Sequence, residues 1–198
     1  HARDFYASPL KRHQIAGGYV ISSFMVGVIM CTVTFGLAEI YIIANGGELL
    51  PFQGMLKIIG LIFLSVLASS AMVFFLVSFF SSINAFATAS TVIGTLIGFL
   101  TGIYIPIGNL PDAVQLIVKI FPVTHAGVLF RQVFMEEPLG ISFAGAPASA
   151  TDGFKEELGV VLTYGDYTAQ TGTHILVLIA VTILFFALAV WNVSRKKS

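Results

Sequence analysis

MLKIIGLIFLSVLASSAMVFFLVSFF at residues 55–80 and AFATASTVIGTLIGFLTGIYIP at residues 85–106 decide the fold. Each run is long enough to cross a hydrocarbon core, which takes roughly 20 apolar residues at about 1.5 Å per residue. Only Ser81-Ser82-Ile83-Asn84 breaks them, so they read as a tight helical hairpin in a bilayer. Working outward, residues 17–44 make an earlier span, set off by the turn-forming Asn45-Gly46-Gly47-Glu48 and Pro51, and residues 174–193 make a later one. The composition agrees, being 57% hydrophobic and 10% charged with a mean hydropathy of +0.93. That exceeds what a soluble core of this size requires. The expected class is all-α, a polytopic membrane protein of four transmembrane helices.

Net charge is zero, yet the charges are segregated. Arg3, Lys11, Arg12, Arg195, Lys196 and Lys197 lie at the two ends, which places both termini on the cytoplasmic side by the positive-inside rule. The 45–54 loop and the 107–173 segment are then extracellular. The latter carries Asp112, Glu136, Glu137, Asp152, Glu156, Glu157 and Asp166 against Lys119, Arg131 and Lys155, consistent with that orientation. Basic clusters that flank apolar spans are topology signals, so no nucleic-acid partner is expected. A lone cysteine, Cys31, excludes an internal disulfide and reads as an apolar filler.

Within the outer segment, residues 109–137 are largely apolar and punctuated by prolines, whereas 138–172 are rich in Gly, Ala, Ser and Thr. Pro111-Asp112 opens a helix that Pro122 closes, and Ala126–Met135 makes a second. Neither is long enough to span. Together, 109–135 are expected to form a re-entrant hairpin dipping into the outer leaflet, followed by a solvated loop with a short helix over 153–162.

Few residues carry chemistry. Asn84, Thr88, Thr91, Thr95, Gly98 and Gly102 recur along one face of the third span, and Gly94, Gly98 and Gly102 repeat a small-xxx-small pattern. This stripe suits close helix packing, or the lining of a translocation path between two copies, and the two readings are compatible. Glu39 is the acid inside a hydrophobic run, about five residues from the outer end, where its carboxylate reaches headgroup water or handles a substrate or proton. Arg131, among Val128, Leu129, Phe130, Val133 and Phe134, is expected to snorkel to phosphates or to pair with Glu136. The four histidines His1, His13, His125 and His174 are scattered without metal-ligand spacing and read as interfacial, and no metal site is expected. There is no G-x-x-x-x-G-K-[ST] loop and no recognisable Ser-His-acid constellation, so the chain is not read as an enzyme.

Three stretches resemble the type-2 ABC transporter permeases, the membrane subunits of bacterial ABC exporters. Arg3-Asp4-Phe5-Tyr6-Ala7-Ser8-Pro9-Leu10-Lys11-Arg12, leading into Ile15-Ala16-Gly17-Gly18-Tyr19, looks like the cytoplasmic loop before that family's third span. Leu100-Thr101-Gly102-Ile103-Tyr104-Ile105-Pro106-Ile107-Gly108-Asn109-Leu110-Pro111 resembles the Gly-x-x-x-Pro-x-x-x-Leu-Pro end of its fifth. Phe121-Pro122-Val123-Thr124-His125 with Arg131 looks like its Pro-x-Thr segment and later arginine. The resemblance implies a six-span subunit of which this chain holds the last four, the starting amphipathic helix and two spans being absent.

The resemblance further implies that residues 1–16 are a cytoplasmic coupling loop. In it Asp4, Phe5, Tyr6, Ser8, Pro9, Leu10, Lys11 and Arg12 dock on a separate nucleotide-binding subunit, which holds ATP and Mg; no cofactor is expected on this chain. The aromatic anchors Phe5 and Tyr6 suit a partner groove, although a solvated lipid-binding turn would look the same. Pro106, Leu110, Pro111, Pro122, Thr124 and Arg131 would form an outer gate. The implied function is export of a drug-like or amphipathic substrate across the bacterial cell membrane by a homodimer or a pair of related permeases among membrane lipids. A cell-envelope lipid or glycan carrier is the alternative cargo, and a non-transporting scaffold or signalling subunit the alternative role.

Overall fold

The computed structural model describes residues 12–80 and 82–195. Residues 4–11 of the expected coupling element lie outside these, and Arg12 is the first residue of helix α1. The elements are α1 (Arg12–Ala44), α2 (Phe52–Val77), α3 (Ile83–Leu100), a 3-10 turn (Ile107–Asn109), α4 (Asp112–Ile120), α5 (Pro122–Ser142), α6 (Ala148–Glu157), strands β1 (Thr163–Tyr164) and β2 (Tyr167–Thr168), and α7 (Thr171–Arg195).

Among the described residues four stretches are long and apolar enough to cross a membrane: Ile21–Ala44, Phe52–Val77, Ile83–Leu100 and Thr171–Asn192. Each overlaps an expected span. The differences lie at the ends: α2 starts directly after Pro51, and α3 stops at Leu100 rather than running to Pro106. Gly102, at φ +70°, ends that helix in a conformation that glycine adopts at little cost.

The compact unit of residues 1–49 is essentially α1. Its Thr32 and Thr34 hydroxyls donate to the carbonyls of Val28 and Met30, both at 2.8 Å, so neither needs an outside partner. Cys31 is exposed on this helix, within its apolar stretch.

The second unit, residues 50–198, is built on α2 and α7, which share its largest helix–helix surface. They run parallel. Near one end Asn192 Nδ2 donates to Ser78 Oγ at 2.6 Å, and the Phe75–Phe185 and Phe74–Phe186 rings meet alongside at 5.4 and 6.3 Å. At the other end, the first two turns of α2 and the start of α7 are tied to α5. Lys57 Nζ lies 3.4 Å from Glu136 Oε2, and Thr171 Oγ1 donates to Gln132 Oε1 at 2.9 Å. Two parallel spans need a connection that returns the chain to its starting side, and α3 together with the 101–170 segment provides it.

That segment leaves α3 and enters α7 at the same end of the unit. α4 and α5 meet at an 87° bend where Phe121-Pro122 interrupts them, because proline supplies no N–H to continue α4 yet fits the first turn of α5. A small core of Ile107, Val118, Val128 and Leu162 joins the 3-10 turn, α4, α5 and the loop after α6. The bent pair matches the expected two-helix hairpin, but α5 runs on to Ser142 through Pro138 rather than ending near Met135. Residues 136–138 are exposed there, so water reaches the backbone around the missing N–H. The short helix expected over 153–162 lies instead at Ala148–Glu157, started by Pro147, and the residues after it form the two-residue β1–β2 pairing.

Candidate functional site

The face of α3 proposed for packing or passage is open. Thr88, Thr91 and Thr95 donate to the carbonyls of Asn84, Ala87 and Thr91 at 3.1, 3.1 and 3.0 Å, and all four side chains of the Asn84–Thr95 stripe are exposed. Each threonine hydroxyl is thus satisfied within its own helix, so the stripe presents small groups without unmet donors. Gly98 departs from it. It is the buried residue of α3, and a Cβ there would overlap the Tyr104 ring, which folds back onto the helix end and stacks edge-on against Phe99 at 5.0 Å. Gly98 therefore serves packing inside the chain rather than the open stripe.

Beyond Gly98, the carboxy-terminal end of α3 is closed by α5. Thr124 Oγ1 donates to the Leu100 carbonyl at 2.8 Å, and Arg131 Nη2 donates to those of Thr101 and Gly102 at 2.7 and 3.0 Å. A helix leaves its last carbonyls unpaired and its end partially negative, so a guanidinium is the side chain best suited to that position. The expectation that Arg131 snorkels or pairs with Glu136 is corrected. Glu136 lies five residues further along α5, rotated by roughly 140° at 3.6 residues per turn, and it faces Lys57 of α2 instead.

The expected outer-gate residues fall into two groups. Thr124 and Arg131 meet at the α3 end, whereas the prolines and Leu110 shape the chain around it. Pro106 precedes the 3-10 turn, Leu110 packs on the small core, Pro111 precedes α4 and Pro122 opens α5. Gln115 Nε2 donates to the Leu110 carbonyl at 2.8 Å and fixes the approach to α4.

Histidines 125 and 174, read from the sequence as interfacial and scattered, meet each other in the structure. Both are buried, on α5 and α7, with their Nδ1 atoms 2.7 Å apart. At that distance one Nδ1 must carry a proton and the other must not, so the two rings hold complementary tautomers. Either ring can be the donor, and the contact holds in both tautomeric arrangements. Their separation of 49 positions hides the pair from any spacing rule.

Glu39 is 7% exposed, withdrawn from the surface while its neighbours Leu37 and Ile40 are largely exposed. Among the described residues no group of three or more His, Cys, Asp or Glu side chains could hold a metal ion. Trp191 is exposed near the end of α7, and the Arg195 guanidinium lies over its ring at 4.3 Å, an arrangement suited to a membrane boundary.

Residues 3–191 fit the family model described as ABC-2 family transporter protein. No curated protein and no solved structure matches the chain significantly. Because the match takes in nearly the whole sequence, the chain belongs to the ABC-2 transporter membrane family. It is a multi-pass permease subunit, the component that spans the membrane rather than the one that hydrolyses ATP, and permeases of this family work with an ATPase partner.

Proposed function

We propose that this ABC-2 permease exports an amphipathic, drug-like substrate, and that the open face of α3 is where it meets a second permease and lines the path between them. The supporting observation is the Asn84–Thr95 stripe, small, exposed and internally hydrogen-bonded on a helix that otherwise buries only Gly98. Such a face tolerates both close helix approach and a passing polar group. The charge pattern supports cytoplasmic termini, with residues 4–12 docking on the ATPase and the 109–135 hairpin gating the outer end.

Single cysteines in place of Thr91 or Thr95 should crosslink between two copies in membranes. Failure at both positions, with crosslinking elsewhere, would move α3 off the dimer axis. Reconstituted with its ATPase, the subunit should show substrate-stimulated hydrolysis that Phe5→Ala or Pro9→Ala uncouples; unchanged stimulation in both would remove residues 4–12 from the docking role.

A further inference from the structure

A cavity of about 850 Å³ opens between α2, α5, α6 and the start of α7, within the range of about 300–1,000 Å³ typical of small-molecule sites. None of its lining side chains belongs to α3, so it is separate from the stripe discussed above. The lining is graded. Lys57 and Thr171 lie near the starts of α2 and α7, Glu136 faces Lys57 and Lys155 joins the lining from α6, while Leu61, Leu64, Leu129 and Ile175 make apolar walls further along the spans. Leu64 is seven residues along α2 from Lys57, roughly 10 Å at helical rise, and Ile175 is one turn along α7 from Thr171.

The charges are unequal as well. Lys57 and Glu136 face each other and largely cancel, and both are exposed. Lys155 is left, half-buried and without an ion pair among the described residues. Its neighbour Glu156 accepts from the Thr163 hydroxyl, and neither it nor Asp152 nor Glu157 lines the cavity. The site therefore offers one uncompensated cation above an apolar chamber at the boundary of two membrane spans.

We infer that this cavity holds an anionic membrane lipid, with one acyl chain beside Leu64 and Ile175 and its phosphate at Lys155. A soluble anion would not use the apolar depth, and an uncharged lipid would leave Lys155 unanswered. The site lies within one subunit and is tested by binding alone, so it stands or falls independently of the transport reading.

The full chain, reconstituted in phosphatidylcholine vesicles, is photolabelled with trace phosphatidylglycerol carrying a diazirine in its acyl chain, and adducts are mapped by mass spectrometry. Adducts should concentrate on the peptides holding Leu61–Leu64 and Ile175. They should exceed those from the matching phosphatidylcholine probe by about tenfold, the scale of one charge-assisted hydrogen bond. Lys155→Gln should erase that preference and Lys155→Arg should keep it, while Leu64→Trp should block labelling by either probe. Equal labelling by the two probes, labelling spread evenly along α3, or an unchanged preference in Lys155→Gln would overturn the assignment. Displacement by free palmitate but not by unlabelled phosphatidylglycerol would overturn it in favour of a fatty acid. Thermal melts of each variant separate a lost site from a lost fold.

Discussion

Helices α3 and α5 are both apolar, of 18 and 21 residues, but the chain treats them in opposite ways. α5 buries Thr124, His125, Ala126, Val128, Leu129 and Leu139, and its polar side chains reach across to other elements. Thr124 and Arg131 bond the end of α3, His125 meets His174, Gln132 bonds both Val160 and Thr171, and Glu136 faces Lys57. α3 buries only Gly98, and its threonine hydroxyls bond their own helix. Where polar groups bond outward, they fix the subunit's own architecture; where they bond inward, they leave a surface free for lipid or another chain.

The contrast can be broken hardest at Arg131. Replacing it with Met removes two charge-assisted bonds to the α3 terminus and should cost about 3 kcal/mol, read as a lowered thermal midpoint in detergent. Lys should recover part of that loss, because both bonds come from the single nitrogen Nη2 and an ammonium also has donors for two adjacent carbonyls. Gly98→Leu comes next, since its side chain must displace the Tyr104 ring, with an expected cost of about 2 kcal/mol in the same melts.

The histidine pair tests whether α5 is held by matched hydrogen bonds. His125→Ala or His174→Ala alone should cost about 1–2 kcal/mol by stranding the surviving ring, whereas the double variant should cost less than the sum of the two singles. Strict additivity in that cycle would mean the rings do not depend on each other. Lys57→Met should cost under about 0.5 kcal/mol, the pair being exposed. Smallest of all, Thr91→Val should leave stability nearly unchanged, as its hydroxyl bonds only its own helix, and a large loss there would contradict the open-face description.

Hydropathy located all four spans, and the prolines at 111 and 122 located the bend, because both act through the local chain. The continuation of α5 past Pro138 was not legible, since a proline's effect depends on whether water reaches the backbone it disturbs. Thr124 and Arg131 were recognisable as important, but their acceptors are backbone carbonyls, which every residue carries and no pattern marks. The His125–His174 contact needed the tertiary fold: it joins two helices whose parallel and bent arrangement brings ring to ring. Lys57 and Lys155 drew little notice in the sequence, and only the cavity between them distinguishes the paired cation from the uncompensated one.

The Arg131 clasp also has a mechanical meaning. α2 and α7 share the largest helix–helix surface of their unit and are pinned at one end by aromatic contacts and the Ser78–Asn192 bond, so they behave as one strut. α3 is held to α5 chiefly at its terminal carbonyls, with Gly102 beside them, which is the geometry of a lever on a fulcrum. Its 18 residues extend roughly 27 Å, so a tilt of about 10° at that pivot swings the opposite end by roughly 5 Å.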